Sequence, residues 1–347
     1  MFCTLNAYAA DTVPDYSKGP LSGKNLFIPL LLQYNFLALP AKSGKQYDFQ
    51  YHLSLYYIQD VYYMAEDYKP ERFYEKKYII RDYESCVAEL GFAYNIRDYL
   101  QIGMEMRLFS YYGGFLDSMI ESFHGFLGTE NAHRDHFLQN QIYINIPTDN
   151  NIGIFLDRSA TSFGDIDLWC KQTLYETGSL SIGALGAFKL PTGSLAALSG
   201  SGYPDAALGL LLDFRATRYM ALYTQAGLVM PFTGKFYTMF NGMIGLELHP
   251  WKLFSINIQT NIKTSPISDY SIDYLRNESL ATNFKKYTPQ INLLAGLVFQ
   301  YKNFRFQFYF EEDAFIIYQG TDITFNMMIS HTFNLKNLNR RKPEYSI

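Results

Sequence analysis

Leu100-Gln101-Ile102-Gly103-Met104-Glu105-Met106-Arg107-Leu108 is the stretch that decides the fold. Side chains on an extended strand point to opposite faces with a period of two. Leu100, Ile102, Met104, Met106 and Leu108 therefore share one face, and Gln101, Gly103, Glu105 and Arg107 share the other. One face is oily and the other is charged. The pattern returns as Phe254, Ile256, Ile258 and Ile262 against Ser255, Asn257, Gln259 and Asn261, and as Phe304, Phe306, Phe308 and Phe310 against Arg305, Gln307, Tyr309 and Glu311. It closes with Ile323, Phe325, Met327, Ile329 and Phe333 against Thr324, Asn326, Ser330 and Thr332, where Met328 breaks the rule. A tilted strand needs about 9 to 11 residues to cross a bilayer, whereas strands of soluble sheets stop near five or six. The length of these runs favours the membrane.

Composition points the same way. Aromatic residues make up 17% of the 347 residues, as 30 Tyr and 28 Phe against 2 Trp, yet the chain is not hydrophobic on average. A transmembrane barrel combines these properties, because lipid-facing residues alternate with polar lumen-facing ones and aromatic residues gather at the membrane boundaries. No run reaches the ~18 to 20 apolar residues of a spanning helix. The longest candidate, Leu26 to Leu39, is interrupted by Pro29, Gln33 and Asn35. A net charge of -4 with no dense basic block before the tail leaves no footprint for nucleic acid.

The connections give an independent check. Short turns at Asn95 to Asp98, Pro147 to Asn151, Thr177-Gly178, Ala216 to Arg218, His249-Pro250 and Lys302-Asn303 alternate with longer connections such as Met64 to Asp82, Tyr111 to His136, Pro191 to Tyr203 and Thr264 to Tyr287. Outer-membrane barrels have tight periplasmic turns and longer outer loops. The expectation is an all-β, transmembrane, antiparallel up-and-down β-barrel of about fourteen strands, with twelve or sixteen as alternatives. The strands fall near 49–60, 83–94, 99–110, 137–146, 152–157, 164–176, 179–190, 204–215, 219–230, 237–248, 251–263, 288–301, 303–312 and 322–333. Both termini then lie on the periplasmic side.

Residues 1–9 read as the remnant of a signal peptide, with Ala7-Tyr8-Ala9 fitting the small-x-small cleavage pattern before Ala10; a short unstructured tail is the alternative. Residues 10–48 form an N-terminal segment, either periplasmic or a lumen plug, with an extra strand as a further alternative. The barrel occupies 49–333. Residues 334–347, with Lys336, Arg340, Arg341 and Lys342, form a solvated periplasmic tail. Three cysteines do not make a disulfide scaffold; Cys86 and Cys170 fall in lipid-facing register.

Charged residues on the lumen side of the strands are Glu89, Glu105, Arg107, Asp165, Asp167, Lys171, Asp213, Arg215, Glu247, Arg305 and Glu311. Either they form a salt-bridge network that props the wall, or they line a channel and select its solutes. In the connection after Tyr112, Phe115, Met119, Ile120, Phe123, Phe126 and Leu127 recur at helical spacing. A short amphipathic helix carrying Phe115, Asp117, Glu121 and His124 is expected to constrict the barrel mouth. Glu121 and His124 at i, i+3 could share a metal, but polar residues at a loop mouth are the preferred reading, and no metal or cofactor is expected. No Gly-x-Ser-x-Gly or His-Glu-x-x-His motif exists, and Asp165 with Asp167 reads as wall and not as a catalytic pair.

Several segments carry a family resemblance. Gly113-Gly114-Phe115-Leu116-Asp117 with Ile120-Glu121 and Phe123-His124, Asp157-Arg158-Ser159 before Phe163-Gly164-Asp165, Lys189-Leu190-Pro191-Thr192-Gly193-Ser194, and Ser199-Gly200-Ser201-Gly202 ahead of Asp205 occur in that order. They resemble an uncharacterised family of Gram-negative outer-membrane barrels, a domain of unknown function similar to outer-membrane transporters and porins. The likeness runs from about Leu21 to the last strand. It implies fold and location, with outer-membrane lipid and the barrel assembly machinery as partners, and it brings neither a substrate nor catalytic residues. The expected function is a channel or passive transporter for a small solute. A plugged structural or adhesin-like barrel is the alternative, and a membrane-embedded hydrolase a third reading.

Overall fold

The computed structural model describes residues 16–24, 26–64, 79–118, 122, 125–126, 139–146, 153–267, 290–313, 321 and 323–339. These form fourteen strands, all pairing antiparallel: β1 (Asp48–Met64), β2 (Ile79–Arg97), β3 (Leu100–Tyr112), β4 (Tyr143–Ile146), β5 (Ile154–Leu156), β6 (Ala160–Glu176), β7 (Leu180–Leu190), β8 (Asp205–Thr217), β9 (Met220–Pro231), β10 (Met239–Trp251), β11 (Phe254–Lys263), β12 (Gln290–Tyr301), β13 (Phe304–Asp313) and β14 (Ile323–Asn334). Neighbours in sequence pair around the sheet. β1 pairs with β14 on one side and with β2 on the other, which closes the barrel.

Two strands depart from the simple count. β3 pairs directly with β6, Met104 opposite Leu168 and Glu105 opposite Asp167, so the wall bypasses β4 and β5. β4 instead pairs with the start of β2, with Ile80 opposite Asn145, and among the described residues β5 pairs with β4 alone. Twelve of the fourteen strands therefore close the barrel and two make a rim hairpin. The spans expected at 137–146 and 152–157 do not cross the wall, and the short turn expected at Pro147 to Asn151 lies outside the described residues.

The remaining short turns all lie at the opposite end, together with the start of β1 and the end of β14. Exposed aromatic residues crowd that turn end: Tyr51, Tyr99, Tyr175, Tyr219, Trp251 and Tyr301. This is the boundary girdle expected where rings meet an interface.

Burial is inverted relative to a soluble protein. On β13, Phe306, Phe308 and Phe310 are 44%, 39% and 36% exposed, while the alternating Gln307, Tyr309 and Glu311 are at most 1% exposed. Ile256 and Ile258 on β11, and Phe325, Met327 and Ile329 on β14, repeat the outward pattern. An oily exterior band around a polar interior is the arrangement that hydrocarbon imposes, since closed barrels satisfy every backbone group without water.

Candidate functional site

The interior is not empty. Residues Tyr16 to Tyr47 form a re-entrant hairpin inside the barrel. It rises from the turn end past Lys18 and Ser22, turns over at a four-residue helix, α1 (Ile28–Leu31), and descends to the start of β1. The described residues from Lys18 to Ala38 are all buried. Pro29 sits in the first turn of α1, where its missing N–H costs nothing.

A hairpin with no sheet partner must find other partners for its backbone. An unpaired N–H or C=O away from water costs as much as a lost hydrogen bond. The wall supplies them. Glu247 accepts from Lys18 N–H at 2.8 Å and Gly19 N–H at 3.3 Å, Asp205 from Tyr34 N–H at 2.6 Å, Asp213 from Ala41 N–H at 2.8 Å and Thr173 from Ser43 N–H at 2.9 Å. Wall cations serve the carbonyls: Arg305 donates to Pro20 O at 2.8 Å, Lys189 to Leu32 O at 2.6 Å, and Lys171 to Pro40 O at 2.7 Å and Lys42 O at 3.0 Å. Both signs of charge line the lumen because a peptide backbone needs both donors and acceptors.

The middle of the lumen holds a charge layer. Glu89 stands opposite Arg107 across β2 and β3, and Glu105 opposite Asp167 across β3 and β6. Arg107 Nη2 meets Asp167 Oδ2 at 2.7 Å, and Lys24 of the hairpin reaches Glu89 Oε2 at 2.7 Å and hydrogen-bonds Glu105. All five groups are at most 2% exposed, so each charge depends on its partners. Higher up, Lys189 bridges Asp165 at 3.0 Å and Asp205 at 3.1 Å, and the Gly193 N–H caps Asp165 at 2.8 Å.

Toward the loop end, the hairpin apex is sealed by apolar packing. Leu26, Ile28, Leu31 and Leu32 share one buried cluster with Tyr56, Ile58, Tyr83 and Val87 of the wall, Ile144, Ile146, Ile154 and Leu156 of the rim hairpin, and Leu198, Phe236 and Ile267. Phe36 on the descending limb fits over Gly209 and Gly227, where an added Cβ would lie 3.0 and 2.6 Å from its ring. Toward the turn end, a cavity of about 380 Å³ opens between Leu37, Pro40 and Lys42 of the hairpin and Asp48, His52, Gln101 and Lys171 of the wall.

The remaining residues singled out in the sequence fall elsewhere. Glu311 accepts from Asn292 at 2.6 Å inside the barrel, and Arg215 is half-buried at the turn end, donating to Gly178 O at 2.5 Å. The described start of the loop after β3 does not enter the mouth. It crosses the outward face of β2, where Phe115 N–H and Leu116 N–H donate to Glu84 at 3.0 and 2.7 Å, Tyr57 OH also bonds Glu84, and Phe115 packs on Tyr57 with its ring 67% exposed. Gly114 takes a φ of +83°, and a Cβ there would strike the Glu84 carboxyl. Asp117 accepts from Asn140 N–H at 2.9 Å. Glu121 and His124 lie outside the described residues, and among those described no three acidic, His or Cys groups are placed to hold a metal. Lys24, Lys189, Asp205 and Glu84 are not among the charged groups singled out from sequence: Lys24 precedes the first strand, Lys189 and Asp205 sit at strand ends, and Glu84 lies on the outward register.

The barrel superposes on the COG4313 outer membrane channel from Pseudomonas putida F1 with a TM-score of 0.54, at 10% identity, over 84% of this chain and 98% of that one. Looser likenesses reach the KdgM porin (TM-score 0.42, 7% identity, 82% and 99% covered) and the Pseudomonas putida toluene transporter TodX (0.39, 10%, 83% and 90%). The fold is that of outer-membrane channels. No curated protein matches the sequence. Residues 1–333 match the family model described as a protein of unknown function, DUF3187, and the chain belongs to that family.

Proposed function

We propose that this protein is a gated channel of the outer membrane for small solutes, with the turn end facing the periplasm and both termini there. At rest its lumen is closed by its own N-terminal hairpin. The observation that carries this reading is the way the hairpin is held. Both limbs enter from the turn end, and among the described residues from Lys18 to Gln46 each hydrogen bond to the wall involves a side chain, so this stretch can withdraw without breaking a strand pairing. What it leaves behind is a polar lumen, the lining that solute channels require.

The alternative, a permanently plugged structural barrel that engages partners through its loops, draws on the apolar cluster that seals the apex. A reversible lock separates the two. A Cβ at residue 183 would lie 3.0 Å from Ala41 O and 3.3 Å from Ala41 Cα, so hairpin and wall backbones touch here and a cysteine pair can be placed as the lock. In a background with the native cysteines replaced, Ala41→Cys with Gly183→Cys should be silent in planar bilayers when oxidised and conduct when reduced. A folded, reduced protein that gives neither conductance nor solute uptake in liposomes supports the plugged barrel instead.

A further inference from the structure

We propose that the lumen wall carries a binding site for primary ammonium groups, which Lys24 of the hairpin fills in the closed state and which amine-bearing solutes occupy when the hairpin shifts. This rests on reading the hairpin as displaceable, but not on the barrel conducting.

The site is built from three strands. Within the layer the wall provides Glu89, Glu105 and Asp167 against a single guanidinium, Arg107. Arg107 is committed to Asp167 at 2.7 Å. Glu89 and Glu105 share the Lys24 ammonium, and Glu89 also has His52 Nε2 and Tyr56 OH at 3.5 Å; three carboxylates still outnumber Arg107 and His52 together, so the wall without Lys24 is a buried, net-negative pocket. The second observation is the occupant. An alkylammonium already sits there, fully buried, with both carboxylates on its nitrogen. The second oxygens of Glu105 and Asp167 have no hydrogen-bond partner among the described residues, so acceptor capacity remains.

Two buried carboxylates select for a group that is both cationic and a donor of several N–H bonds. A primary ammonium on a short unbranched chain satisfies both, and a quaternary ammonium has no N–H to give. Hairpin and solute therefore compete for one site. Cationic amines favour the withdrawn state because only that state leaves the site to them.

The test uses the full-length chain and a chemical rescue. Lys24→Ala leaves a methyl group, and propylammonium supplies the rest of the lysine side chain. Hydrogen exchange of the hairpin should be faster in Lys24→Ala than in wild type. Propylammonium should slow it again in a saturable way, and tetramethylammonium at equal ionic strength should not. Adding Glu89→Gln and Glu105→Gln should weaken propylammonium by at least about tenfold, the loss expected for charge-assisted bonds. Rescue that fails, or that is matched by tetramethylammonium or by the triple variant, overturns the site. Should Lys24→Ala not fold alone, refolding yield becomes the readout: recovery with propylammonium only supports the site, and its absence refutes it. Neither readout needs current, so a silent bilayer sinks the channel reading without touching this one.

Discussion

Lys189 on β7 donates a 2.6 Å hydrogen bond to the backbone carbonyl of Leu32, one residue beyond the apex helix of the lumen hairpin. The same ammonium bridges Asp165 and Asp205, and Asp205 in turn accepts from Tyr34 N–H. A single wall lysine thus pins the point where the hairpin turns downward.

Removing it should loosen hairpin and wall together. Lys189→Met leaves two buried carboxylates without their cation, a loss of about 3 to 5 kcal/mol for a broken buried pair. Unfolding of the reconstituted barrel should show that cost, and the conductance of Lys189→Met should rise above wild type. An unchanged stability would mean that Asp165 and Asp205 find other partners.

The seat of Phe36 offers a packing test. A Cβ at Gly209 would lie 3.0 Å from the Phe36 ring and 3.3 Å from Ala226 O, so the flexible ring takes most of the clash. Gly209→Leu should cost about 1 to 3 kcal/mol through overpacking. Phe36→Ala in the same chain should recover much of it. A double-mutant cycle reads the coupling, and additive effects would show that the two positions do not touch.

Outside the lumen, Glu84 fixes the start of the long loop. Glu84→Ala removes a carboxylate that accepts two backbone N–H groups, each such bond to a charge being worth about 1.5 to 3 kcal/mol. Protease should cut the loop after Tyr112 faster in Glu84→Ala than in wild type, while the barrel stays resistant. Equal rates would show that the Gly113-Gly114 turn holds without it.

Depth along one strand distinguishes hydrocarbon from a protein core. Phe308 lies midway along β13 and Phe304 at its turn end. Phe308→Arg should destabilise insertion into bilayers by about 2 to 4 kcal/mol, and Phe304→Arg by no more than about 1 kcal/mol. Equal penalties would contradict a membrane with a middle and an edge.

The fourteen strands were legible in the sequence because alternation is local, and β13 and β14 show it without help from the rest of the chain. β1 was noisy for a physical reason: Tyr56 and Ile58 face inward yet are apolar, since they pack on the hairpin apex. The rim hairpin passed for two spans because only the pairing of β3 with β6 shows that the wall runs past it. The charge layer was half visible. Glu89, Glu105, Arg107 and Asp167 follow from register, but Lys24 lies 65 and 81 residues from its carboxylates in a segment with no periodicity. The helix expected to constrict the mouth from the loop after β3 lies mostly outside the described residues, and nothing local announced that Glu84 would hold the start of that loop.

Site-directed spin labelling of the reconstituted protein addresses the medium around the barrel most directly. Nitroxides placed singly at Phe306, Phe308 and Phe310 should relax with lipid-dissolved oxygen and be shielded from a water-soluble nickel reagent, most strongly at Phe308. Labels at these positions that respond to aqueous nickel, on a protein that stays dispersed without detergent, would mean that water touches the oily face, and neither the membrane barrel nor its gated lumen would survive.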